Sequence, residues 1–149
     1  FFMIRKYASN DRRNVLKMME EFYSSPAVLH KIPKENYAKT LDEAEKGSPY
    51  LDVFILQHDL SIAGYALTAY TYSNEAGGNV AWIEEIYVCP EFRSKGLGRE
   101  FINYIKKEYG DFARIRLEVE QSNDGATRLY KREGFEELAY CQFVIDKKH

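Results

Sequence analysis

The chain has 149 residues, with 21 Lys and Arg against 23 Asp and Glu, for a formal charge of −2. That length suits one domain that buries a core without staples, and 45% apolar with 30% charged residues argues against disorder. The charge balance excludes bulk attraction to nucleic acid or an anionic membrane, two cysteines make no disulfide framework, and no apolar run approaches the ~18 residues of a membrane span.

The N-terminus shows no basic stretch followed by an apolar one, so the expectation is a cytoplasmic protein with reduced thiols at Cys89 and Cys141. Phe1 and Phe2 precede Met3 and are set aside from functional argument. Met3–Tyr7 reads as a short strand. Ser9 and Asn10 are candidate caps for a helix to about Ser24, with Val15, Met18, Met19 and Phe22 at helical spacing. Pro26 and Pro33 bracket a loop. A more polar helix is predicted over Lys34–Lys46, with Tyr37, Leu41 and Ala44 inward, stopped by Gly47-Ser48-Pro49.

Three strands follow: Leu51–Gln57, Ile62–Tyr72 and Val80–Cys89, separated by turns at His58-Asp59 and Asn74–Gly78. Pro90 ends the third, because proline has no N–H for a ladder. Gly96–Tyr109 is an amphipathic helix with Leu97, Phe101, Ile105 and Tyr109 on one stripe. Arg114–Glu120 alternates like a strand, Asp124–Arg132 is a short helix closed by Gly134, and Phe135–Asp146 is strand-like, in one or two pieces. Residues 1–149 therefore read as a single mixed α/β domain without internal repeats or linkers.

Trp82–Gly98 carries the chemistry. A strand passes through a short loop into a helix whose start holds Gly96 and Gly98. Unpaired N–H groups and the helix dipole favour an anion there, and glycine lets it approach the backbone. Arg93, Ser94, Lys95, Leu97 and Arg99 complete a pyrophosphate seat. A P-loop needs Gly-Lys-Ser/Thr, whereas here Lys95 precedes Gly96. A dinucleotide fingerprint needs a third glycine where Phe101 stands; Glu118, at about the right distance downstream, keeps that reading open.

The pattern Arg93-x-x-Gly96-x-Gly98 after Tyr87-Val88 resembles the acetyl-CoA motif of the GNAT superfamily of N-acetyltransferases. The run Asn123 to Phe135, containing Ala126, Tyr130 and Gly134, resembles that superfamily's second signature. Trp82–Val88 is similar to the corresponding strand of the polyamine and thialysine branch, with an acidic residue where Glu84 stands. The resemblance implies a GNAT-like mixed sheet with helices on both faces. It also implies that Val80–Val88 and Arg114–Glu120 splay apart, so that backbone groups of Ile86, Tyr87 and Val88 meet the amides of pantetheine. Buried amides need such partners.

By the same resemblance, Tyr130 is the general acid for the departing thiolate, Glu84 the first candidate base and Glu85 the second, and Asn123 contacts the cofactor besides capping a helix. Adjacent strand residues face opposite ways unless a bulge intervenes, so only one of the two glutamates is expected in a given cleft. Trp82, Tyr65, Tyr70 and Tyr72 are candidates for the acceptor cleft, and sheet packing explains them equally well. His30, His58 and His149 have no ligand spacing, and no metal is expected. The expected reaction is acetyl transfer from acetyl-CoA to a small cationic amine. Acetylation of a protein amine and a non-catalytic acetyl-CoA sensing module are the alternatives, and a homodimer is compatible with the resemblance.

Overall fold

The structure, a computed structural model, describes residues 1–147; His149, weighed above as a metal ligand, lies outside the described residues. In chain order the elements are β1 (Phe2–Lys6), α1 (Arg12–Tyr23), α2 (Lys34–Glu45), β2 (Leu51–His58), β3 (Ser61–Ser73), β4 (Gly78–Val88), α3 (Leu97–Glu108), β5 (Arg114–Leu117) and α4 (Asp124–Arg132). The sheet runs β1-β2-β3-β4-β5; the first three pairings are antiparallel and β4–β5 is parallel.

Alternation along β2 explains the layers. Val53 and Ile55 face one side with Tyr65 and Tyr87, under Val15, Met18 and Phe22 of α1 and Leu41 of α2. Phe54 and Leu56 face the other, with Ala66 and Ile83, under Leu97, Phe101 and Ile105 of α3. A strand buried on both faces reads as a continuous apolar run, as Val53–Leu56 does. Each such side chain contributes about 1.5–3 kcal/mol on burial. The mixed α/β architecture with helices on both faces is the one expected.

Three local expectations need correction. Neither Ser9 nor Asn10 caps the first helix. A 3-10 turn, Ser9–Asp11, leads into α1, and the Asp11 carboxylate accepts from Ala8 N at 2.9 Å while Arg5 pairs with it at 2.8 Å. β5 ends at Leu117, short of Glu120, because its pairing with β4 stops there. The strand expected over Phe135–Asp146 is not formed, since none of the described residues pairs with it: Phe135 packs against the α3 side of the core and residues 136–147 have no regular secondary structure.

Candidate active site

β4 is paired with β3 on one side at every residue but Glu84, and on the other side only in part. Its partnership with β5 covers Val80↔Arg114 to Ile83↔Leu117 and then ends. From Glu84 to Val88 the strand keeps only β3, through Leu67↔Glu85, Ala66↔Ile86, Tyr65↔Tyr87 and Gly64↔Val88. The sheet is open on the β5 side of those five residues. A cleft of about 930 Å³ lies there, lined by Ile86, Tyr87 and Val88, by the turn into α3, and by Tyr130 of α4.

The turn is shaped for an anion. Ser94 (φ +61°) and Gly96 (φ +86°) both adopt left-handed backbone, and the first intrahelical bond of α3 runs from Glu100 N to Gly96 O at 3.0 Å. The N–H groups of Leu97, Gly98 and Arg99 thus precede the helical ladder. A Cβ at Gly98 would stand 3.2 Å from Leu129 Cδ2, so glycine there lets α4 lie against α3. Arg93 is fixed by Nε donating to Val88 O at 2.9 Å and by its guanidinium lying 5.7 Å from the Tyr87 ring centroid. Arg99 is mostly exposed and sits 3.6 Å from Glu133.

The structure brings together nearly all of the expected cofactor residues. Ile86, Tyr87, Val88, Arg93, Ser94, Gly96, Leu97, Gly98, Arg99 and Tyr130 line the one cleft, whereas Lys95 and Asn123 do not. Asn123 caps α4, its Oδ1 accepting from Ala126 N at 3.2 Å. Tyr130 packs edge-on against Phe135, and burial alone pushes its phenol above the ordinary tyrosine range.

The two glutamates stand beside the cleft, outside its lining. The β3–β4 register slips between Leu67↔Glu85 and Thr68↔Ile83, so Glu84 is a bulge residue without a cross-strand partner. This is the bulge that interrupts strict alternation between the two glutamates. Glu85 turns to the α1 side, accepting from Tyr23 Oη at 2.5 Å and Tyr65 Oη at 2.6 Å. Burial raises the Glu85 carboxyl, and the two phenol hydrogen bonds oppose that rise. Glu84 keeps solvent contact, yet the surrounding protein raises its carboxyl too, followed by the charges of Glu118 and Glu85.

Tyr23 went unnoticed as a site residue in the sequence. So did Phe22, which lines the α1 side of the cleft. Ser25 and Ala27, which line it too, lie in the loop from Ser25 to Pro33 that the sequence marks as part of the frame of the acceptor side. Among the aromatic candidates, Tyr65 reaches a site carboxylate. Trp82 is covered by the Arg116 guanidinium at 3.9 Å, and Tyr70 donates to Asp52 at 2.7 Å. Cys89 is half-buried with Sγ 3.7 Å from Met18 Sδ, and burial pushes its thiol up, which suits packing rather than nucleophilic attack.

The model of the acetyltransferase (GNAT) family matches residues 15–135. Thialysine N-epsilon-acetyltransferase of Bos taurus is 26% identical over 152 residues, covering 95% of this chain and 88% of that protein. Among solved structures, a possible acetyltransferase from Clostridium difficile 630 superposes with a TM-score of 0.80 at 21% identity, covering 99% of both chains. AAC(6')-Iy in complex with the bisubstrate analog CoA-S-monomethyl-acetylneamine gives a TM-score of 0.80 at 18% identity, again over 99% of both.

Proposed function

The chain belongs to the acetyltransferase (GNAT) family and is an acetyl-CoA-dependent N-acetyltransferase; from that premise we propose that it acetylates the primary amine of a small cationic acceptor by direct attack in a ternary complex. Residues 1–149 act in this reading as one catalytic domain. The observation that carries it is the parting of β4 from β5 after Ile83, beside a left-handed, glycine-bearing turn with two arginines.

That arrangement fits acetyl-CoA, which supplies an activated thioester carbonyl. The free edge of Ile86–Val88 offers backbone groups to the amides of the pantetheine arm, as a missing strand would. The turn Arg93–Gly98 and Arg99 take the pyrophosphate, with Ser94, Lys95 and Leu97 as part of that seat and Asn123 at the entrance of α4. An N–H of the same β4 segment is placed to hold the carbonyl oxygen as charge develops on it.

An alkyl ammonium has no lone pair and titrates near ~10.4 in water. Glu84 accepts that proton, directly or through water. Its raised pKa makes it a better base than an ordinary carboxylate. The nitrogen then forms its bond to the acetyl carbon as the C–S bond breaks. Tyr130 gives its phenolic proton to the departing thiolate, and burial keeps that phenol protonated until then. Glu85, tied to Tyr23 and Tyr65, is the second carboxylate and adds negative charge next to Glu84. Three carboxylates, Glu84, Glu85 and Glu118, favour a cation on the acceptor side. The names of the thialysine and aminoglycoside enzymes, which denote amine acceptors, lend support from the relatives.

The test is release of free CoA thiol from acetyl-CoA across a panel of polyamines, lysine analogues, aminoglycosides and peptides. Turnover with small diamines or amino-acid side chains, and none with peptides, is expected. Acetyl-CoA binding without turnover on the whole panel would replace the enzyme with a sensing module. Turnover on peptides alone would move the acceptor to protein.

A further inference from the structure

Four arginines of the chain are half-buried: Arg5, Arg12, Arg114 and Arg116. The first three are engaged by carboxylates. Arg5 pairs with Asp11 at 2.8 Å, Arg12 with Asp42 at 2.9 Å and Arg114 with Glu75 at 3.0 Å. Arg116 differs. Its guanidinium lies over the Trp82 ring, 3.9 Å from the centroid, and among the described residues it has neither a salt bridge nor a side-chain hydrogen bond. Glu75, the carboxylate held by Arg114, has its other oxygen taken by Tyr140 at 2.6 Å. A guanidinium carries five N–H donors in a planar fork that matches a carboxylate, and stacking on an aromatic ring orients that fork without using any of them.

The free fork stands on the acceptor side. Ile115 and Leu117 of β5 pack with the α3 cluster, so by alternation Arg116 is on the opposite face, under α1 and α2. Glu85 turns to that face through Tyr23. In the parallel register Arg116 is level with Trp82, and Glu84 and Glu118 follow two residues on, where the pairing has ended. Two residues of extended chain span about 6.6 Å. Burial, and after it the charge of Glu118, raises the Glu84 carboxyl, so Glu84 and Glu118 share one locality.

We propose that Arg116 is a specificity-determining residue that binds the α-carboxylate of the acceptor, and that the acceptor is a free diamino acid of lysine length with its side-chain amine at Glu84. The proposal rests on the amine-acetylation reading above and names the acceptor class within it. In lysine the side-chain nitrogen and Cα are five single bonds apart, about 6 Å when extended. That matches the step from Glu84 back to Arg116. A simple diamine fills the carboxylate end and leaves the Arg116 fork without a partner, and a lysine inside a peptide has no free α-carboxylate to offer it.

The test compares kcat/KM of the full chain on free lysine and on lysine amide, which lacks the carboxylate charge. Release of CoA thiol gives the rate, and mass spectrometry of the product locates the acetyl group. The parent should prefer lysine by about 10–100-fold, as a charge-assisted pair allows. Arg116→Gln should erase that preference by slowing lysine alone, and the unchanged rate on lysine amide shows that the variant is folded. Arg116→Lys, which keeps the charge and loses the fork, should retain part of the preference. Equal rates of the parent on both acceptors, or turnover of polyamines alone, overturns the role of Arg116 and leaves amine acetylation standing. Equal losses on both acceptors in Arg116→Gln overturn it too, since they mark a structural role. No turnover on any amine removes the acetylation reading, and this proposal with it.

Discussion

Gly64 lies on β3 directly across from Val88, at the paired edge of the segment whose other edge faces the cleft. A Cβ built there would sit 2.1 Å from the Tyr87 carbonyl oxygen and 3.1 Å from Val88 Cα. Real Cβ contacts are not found below 3.0 Å, so Gly64→Ala forces this backbone to retreat by roughly 0.9 Å. The obstacle is main chain, with no rotamer to swing aside. Overpacking of this kind costs about 1–3 kcal/mol. At this length each kcal/mol lowers the melting temperature by about 2–4 °C. The displaced residues are those proposed to hold the pantetheine arm, and a shift near ~1 Å can cost about 10²-fold in rate. Thermal unfolding followed by circular dichroism, with kcat/KM for acetyl-CoA measured well below the transition, reads both effects. A stable Gly64→Ala protein with the parent kcat/KM would refute the placement of the cofactor along Tyr87–Val88.

Tyr130→Phe removes the proton donor but keeps the ring against Phe135, so kcat should fall by about 10²–10⁴-fold while acetyl-CoA affinity by calorimetry stays as it was. Glu84→Gln should lower kcat/KM at neutral pH and abolish the acid limb of its pH profile, a limb placed above the ordinary carboxylate range by the raised pKa of Glu84; an unaltered profile would remove Glu84 as the base. For Glu85 the folded pKa lies above the unfolded one. Its contribution to stability is therefore full below the ordinary value of ~4.3 and is lost as pH rises through the folded pKa. Urea unfolding across that window should show a falling stability in the parent and a shallower fall in Glu85→Gln; parallel curves would contradict the burial of Glu85.

Where a feature depends on neighbours in the chain, the sequence displays it. The stripe Leu97-Phe101-Ile105 shows α3, Pro90 marks the end of β4, and Arg93, Gly96 and Gly98 sit within six residues of one another, so the turn and its charge are readable together. The bulge at Glu84 is not, because it arises from a slip against Leu67 and Thr68, far away along the chain. The Tyr23–Glu85–Tyr65 contact joins three elements and has no local signature. Asp11, not Ser9 or Asn10, stands at the N-cap position of α1, and its carboxylate is taken by Arg5 of β1 and Ala8 N rather than by a helix N–H. Phe135–Asp146 shows the opposite failure: its pattern is that of a strand, but pairing needs a partner that a pattern cannot supply.

Backbone amide spectra of the isotope-labelled protein, recorded as CoA is titrated in, test the central claim most directly. The largest shifts should fall on Ile86–Val88 and on the N–H groups from Arg93 to Arg99, and those β4 amides should slow in exchange with water as the ligand saturates. Shifts centred elsewhere, for instance on the surface hollow between Asp52 and Tyr109, with Ile86–Val88 unmoved, would contradict it.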